Sequence, residues 1–254
     1  MALKTTNERN PISAQLKHLA RPVLVVYIPA FAILVGVGLL RLFYDVPVGF
    51  FTRDPADLMR HDPISTFSFY EDGVVDLPFY LGAVSYIGIL AWCATASICF
   101  LTVAVIGKSD RQPEARTFFL LAGVMSTLLL MDDLFRLHEV VFPEILNLSE
   151  YTLYAIYAGL GVYFLLRCRD MIAKTDYLLL LFAGGFLGLS LSVDVLTDTI
   201  FGWVAGGALF EDGLKFAGVI GWCMYFTLVS VKHLRLSTEA ANTSVRDSGS
   251  DVQS

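Results

Sequence analysis

Histidine and cysteine are scarce in this chain, with four of each among 254 residues. The cysteines, Cys93, Cys99, Cys168 and Cys223, form no Cys-x-x-Cys pair, so neither a zinc ribbon nor a structural disulfide is expected. Charge is also thin, at 17% of residues. Bases number 18 against 24 acids, and the net charge of −6 argues against nucleic acid as a partner. No Gly-x-Ser-x-Gly, His-Glu-x-x-His or Gly-x-Gly-Asp sequence occurs, which removes the usual serine, zinc and presenilin-like hydrolase signatures. The polar, basic segment 1–21 is not expected to act as a cleavable signal peptide, and no lipidation motif stands out.

What the chain has instead is long apolar runs. Hydrophobic residues make up 56% of it, and the mean hydropathy is +0.63. Soluble domains rarely reach that fraction. The runs are continuous rather than alternating, which disfavours a β-barrel. Backbone polar groups in lipid must be satisfied within their own segment, so the expected fold is an all-α integral membrane protein, a six-transmembrane-helix bundle. The spans are expected at about 22–43, 77–106, 116–140, 150–166, 177–200 and 208–231, each near the ~20 residues that cross the hydrocarbon.

The loops orient this bundle. Lys4, Arg9, Lys17 and Arg21 precede the first span. Lys108, Arg111 and Arg116 follow the second, Arg167, Arg169 and Lys174 follow the fourth, and Lys232 and Arg235 follow the sixth. The alternate loops 141–149 and 201–207 carry no Lys or Arg. By the positive-inside rule both the N- and C-termini are cytoplasmic, in a cell (plasma or inner) membrane. The membrane domain thus covers 22–236, after a cytoplasmic segment 1–21. Its outer loop 44–76 is acidic, with a short helix expected at 55–60 after the Asp54-Pro55 cap. The tail 237–254 is rich in Ser, Thr, Asp and Gly, and is expected to be disordered.

One stretch breaks the apolar pattern. Asp132, Asp133, Arg136, His138 and Glu139 place five ionisable groups within eight residues, directly after the run 118–131. Charge inside hydrocarbon costs at least a few kcal/mol, so such residues mark function by default. Asp132 and Asp133 lie about 20 Å along from Phe118, Asp194 about 25 Å along from Tyr177, and Lys215 about 10 Å from Ala208, at 1.5 Å per residue. With the alternating topology, these positions fall in one outer-leaflet slab. Asp132, Arg136 and Glu139 follow i, i+4, i+7; Asp194 and Asp198 follow i, i+4, as do Glu211 and Lys215.

The structural alternative is that Arg136 neutralises Asp132 and Lys215 neutralises Glu211, fixing helix register alone. It leaves a surplus of acids, which must be protonated, hydrated or bound to a cation. Asp132, Asp133, His138, Glu139 and Asp194 are therefore candidate ligands of a divalent cation. His18 and His233 fall on the cytoplasmic side, so a three-histidine zinc site is not expected. Asp133, Asp194 and Glu211 are the candidate acid–base groups, with Arg136 and Lys215 orienting carboxylates or stabilising an anion. Glu211-Asp212-Gly213-Leu214-Lys215 resembles, over five residues and with Asp in place of the second Glu, the Glu-Glu-x-x-Lys motif of membrane-embedded glutamic proteases. The family's other motifs have no counterpart here.

The sequence thus favours a cation-assisted enzyme or ligand-binding site, open to the outer face. The partners expected are the lipid bilayer and a lipid or extracytoplasmic small molecule. A proton- or cation-coupled transporter ranks second, because 118–130, 178–186 and 216–228 are uncharged and read as sealed. A structural or assembly subunit ranks third.

Overall fold

A computed structural model describes residues 12–53, 79–107, 113–196 and 207–250. The helix expected at 55–60 and the acid Asp198 lie outside these residues. The described chain runs α1 (Ile12–Tyr44), α2 (Gly49–Thr52), α3 (Ala83–Ile106), α4 (Pro113–Phe135), a π-helical segment (Leu137–Ile145), α5 (Glu150–Ile172), α6 (Tyr177–Leu196) and α7 (Gly207–Ser250). Among the described residues there is no strand.

Six of the helices are long and apolar enough to cross a membrane: Leu19–Tyr44, Ala83–Ile106, Pro113–Phe135, Glu150–Ile172, Tyr177–Val195 and Leu209–Thr238. By length and composition this is the pattern of a multi-pass membrane protein. The most apolar stretch of the first helix is only 17% buried within the protein. Leu24, Val25, Ile28, Phe31, Val35 and Leu39 of that helix all face outward, far more exposed apolar surface than a water-soluble monomer carries.

Local signals set most of the helix ends. Asp45 adopts φ 55 just past α1, in the left-handed position that closes many helices, and Arg41 Nη1 donates to its carboxylate at 2.5 Å. Gly107 does the same for α3 at φ 64, as the residue type best suited to that conformation. Pro113 opens α4, where its missing N–H costs nothing. Thr175 Oγ1 donates to the Ile172 carbonyl at 2.7 Å, satisfying an orphan acceptor at the end of α5.

Several boundaries differ from the sequence reading, three of them with a local explanation. The third span stops at Phe135 rather than 140, because Arg136 is left-handed (φ 53, ψ 50) and the chain leaves the α-helix there. The fourth continues to Ile172 rather than 166, since nothing in 167–172 breaks a helix and Arg167 and Arg169 can keep their charges outside the apolar layer. The backbone of α7 stays helical as far as Ser250, through most of the tail expected to be disordered. There Ser237 and Thr238 donate back to the carbonyls of His233 and Leu234, so their hydroxyls do not compete with the helix from outside.

The chain divides into two compact units. One comprises 1–17, 92–178 and 223–254, and the other 18–91 and 179–222. The first has an aromatic core in which Phe118, Phe119, Phe164, Tyr225 and Phe226 are buried, and Phe118 stacks within 5.1–6.4 Å of the other four rings. The Tyr225 hydroxyl is satisfied by Thr175 at 2.8 Å. The second has a mainly aliphatic core of Ala30, Val37 and Val84 with the single ring of Phe216, flanked by Leu34, Val48, Phe51, Leu209 and Ile220. Here helices approach over glycine. A Cβ on Gly218 would meet Leu187 Cγ at 2.7 Å, and one on Gly221 would meet the Tyr27 hydroxyl at 2.1 Å.

Candidate functional site

Asp132 sits in the last turn of α4 and is 6% exposed. A carboxylate buried to that extent must be paired. Its partner is six residues on. The His138 backbone N–H donates to Asp132 Oδ1 at 3.0 Å, and His138 Nδ1 lies 2.9 Å from both Asp132 oxygens. A straight α-helix could not make this contact, because i and i+6 point to different faces. The left-handed turn at Arg136 makes it, by redirecting the chain so that His138 folds back over α4.

The π-helical segment follows from that turn. The Arg136 carbonyl accepts from Val140 at 2.9 Å and Val141 at 3.4 Å, so the ladder shifts from i+4 to i+5. Within it, Arg136 Nε donates to Glu139 Oε2 at 2.9 Å, and the Arg136 Nη2 group contacts the same oxygen. The other Glu139 oxygen lies 3.4 Å from His138 Nε2. His138 therefore has a carboxylate at each ring nitrogen, and only the imidazolium donates at both. Partial desolvation works against ionisation of Glu139, yet the hydrogen bonds and charges of His138 and Arg136 outweigh it and hold the carboxyl at about 2. The Tyr154 ring of α5 lies 5.6 Å from the imidazole, tilted by 44°.

Asp133 points elsewhere. The indole Nε1 of Trp92, a residue of α3 that is 2% exposed, donates to Asp133 Oδ2 at 2.9 Å. Tyr157 of α5 lies in the field of both Asp132 and Asp133. The first unit thus collects Asp132, Asp133, Arg136, His138 and Glu139, together with Trp92, Tyr154 and Tyr157. The pairing differs from the i, i+4 expectation: Arg136 binds Glu139, and His138 rather than Arg136 binds Asp132.

Asp194, Glu211 and Lys215 fall in the second unit. Asp194, Asp212, Arg53 and Lys215 all lie within electrostatic range of Glu211. Ser190 Oγ donates to the Glu211 backbone carbonyl at 3.0 Å. Glu211, Asp212 and Lys215 occupy the opening turns of α7, all partly buried.

Among the described residues no group of three or more His, Cys, Asp or Glu side chains is arranged to hold a metal ion. The reason is occupancy by donors: Asp132 is taken by His138, Asp133 by Trp92 and Glu139 by Arg136. A cation would have to displace each of them.

Trp92, Tyr154, Arg53 and Ser190 were not among the residues the sequence marked. Trp92 carried a usable signal, since an indole N–H in an apolar span needs an acceptor. Tyr154 and Ser190 carried none, because both resemble ordinary helix-packing residues.

A protein-family model described as a domain of unknown function, DUF8692, matches residues 27–229. The chain belongs to this family. No curated protein and no solved structure gives a match. The family region contains both polar groups, Asp132–Glu139 and Glu211–Lys215, and stops short of the tail.

Proposed function

We propose that this DUF8692 member is a plasma- or inner-membrane protein with cytoplasmic termini, and that its Asp132–His138–Glu139 relay is an acid–base or ligand-binding site near the outer face. One observation carries this reading: an imidazole held between two carboxylates beside a partly buried guanidinium. Asp132 fixes the ring through Nδ1, as the orienting carboxylate does in many histidine sites. Nε2 then exchanges a proton with Glu139 or with a group that displaces it. Arg136, whose side chain is 13% exposed, offers a planar cation to an anionic substrate that competes for it with Glu139. The substrate class that fits is a lipid-derived or extracytoplasmic molecule with an anionic group. Asp133 is held ready by Trp92 as a second carboxylate, and Glu211 with Lys215 and Asp194 forms a further polar group for binding or orientation.

The test is a comparison of lipid and extracytoplasmic metabolite profiles. Cells would carry the wild type, His138→Gln or no copy, with the two proteins at equal membrane levels. A pool that shifts with the wild type and not with His138→Gln supports the reading. Identical profiles in the two expressing strains overturn it. Proton flux into vesicles, lost in Asp194→Asn, would instead favour coupled transport.

A further inference from the structure

Leu137–Ile145 has a construction the acid–base reading does not use. None of its nine residues is buried, although Leu137, Val140, Val141, Phe142 and Ile145 are apolar. It is bracketed by two left-handed residues, Arg136 at φ 53 and Asn147 at φ 54. Asn tolerates that conformation, whereas a long side chain such as Arg pays for it. Pro143 inside the segment removes one donor from its ladder. Its packing is partial, since Leu137, Val140, Val141 and Phe142 are half-buried and the segment lies against α4 and α5, and packing does not by itself set the backbone at the two joints. Polar contacts do: Asp132 accepts the His138 N–H and ring, and Glu139 binds back to Arg136.

We propose that 137–145 is a strap, hinged at Arg136 and Asn147 and latched by the His138–Asp132 contact, which covers and uncovers the Asp132 carboxylate. Segments with few buried apolar contacts occupy the low-stability end of a fold, and lids over sites are drawn from it. Opening at the two joints lifts His138 off Asp132 and releases a buried carboxylate to whatever enters. The regulatory meaning rests on the acid–base reading; the mechanics do not.

Amide hydrogen exchange on the full chain in lipid nanodiscs tests the mechanics. In Asp132→Ala, exchange over 137–146 is expected to rise at least ten-fold, with 118–130 and 155–170 unchanged. Trp92→Phe, which alters Asp133 and not the latch, should leave the strap at the wild-type rate. Arg136→Gly and Arg136→Ala lose the same ion pair but differ at the joint. Glycine should exchange about five-fold more slowly, because it adopts positive φ without cost. Unchanged strap exchange in Asp132→Ala overturns the proposal, as does a rise shared by all helices or equal rates in the two Arg136 variants. None of these readings depends on activity, so the strap can fail while the acid–base site stands, and the reverse.

Discussion

In the unit built on α4 and α5, Asp132, Asp133 and Glu139 each meet a specific donor at 2.9 Å. In the unit that contains α1 and the start of α7, the tight contacts are steric: Gly221 against Tyr27 and Gly218 against Leu187. One region is specified by hydrogen-bond direction and the other by the absence of a methyl group. The difference teaches where each will fail. Directional contacts are lost one at a time, and each leaves a neighbouring group exposed to the low dielectric. A glycine contact fails all at once when volume is added, because rigid helices cannot yield locally.

The largest effect should therefore come from the glycine region. Gly221→Ala would put a Cβ 2.1 Å from the Tyr27 hydroxyl and is expected to cost about 2–3 kcal/mol, read from unfolding in detergent. Tyr27→Phe should restore most of that loss in the double variant. Among the described residues the Tyr27 hydroxyl has no hydrogen-bond partner, so Tyr27→Phe alone should be neutral or mildly stabilising. If the double variant is no better than Gly221→Ala, steric specification of this region is wrong.

Next comes the directional region. Asp132→Ala removes the acceptor of both the His138 N–H and its ring, and about 2 kcal/mol of stability should go with it. Asp132→Asn should lose less, since it still accepts the N–H. Equal losses would show that charge rather than direction holds the site. Trp92→Phe should cost about 1.5 kcal/mol by leaving Asp133 without its indole donor. A value near zero would make that bond incidental.

The smallest effect is in pH. Glu139 is held at about 2, below the ordinary carboxylate value of about 4.3. Its stabilisation is fully present above that ordinary value and is lost as pH falls toward 2. The difference in unfolding midpoint between wild type and Glu139→Gln should therefore be constant from pH 7 to 5 and shrink below about 4. A difference that vanishes already near pH 6 would mean that Arg136 and His138 do not hold this carboxylate.

The six long helices were legible because lipid-crossing helices must be apolar for their whole length, and composition records that directly. The Asp132–Glu139 stretch was legible for the converse reason, as charge where apolar residues were due. Its pairing was not. Helical periodicity matched Asp132 with Arg136, because it assumes that the helix continues unbroken beyond Phe135. A single left-handed residue cancels that assumption, and nothing about Arg136 in the sequence announces positive φ. Glu211 and Lys215 lie within electrostatic range of each other on a regular stretch of α7; Arg53 was missed because it lies outside the long helices, just after α2, where helical periodicity says nothing of its neighbours.

Sequence alone determined that this DUF8692 chain is a set of apolar helices carrying misplaced charge, since hydropathy and residue type are properties of each segment by itself. Only the tertiary structure decided which donor each acid meets. That choice turns on one backbone torsion at Arg136 and on distances of about 3 Å between residues up to 41 positions apart, Trp92 and Asp133 among them. Local preference is too weak to specify either, so both arise only when the helices have packed.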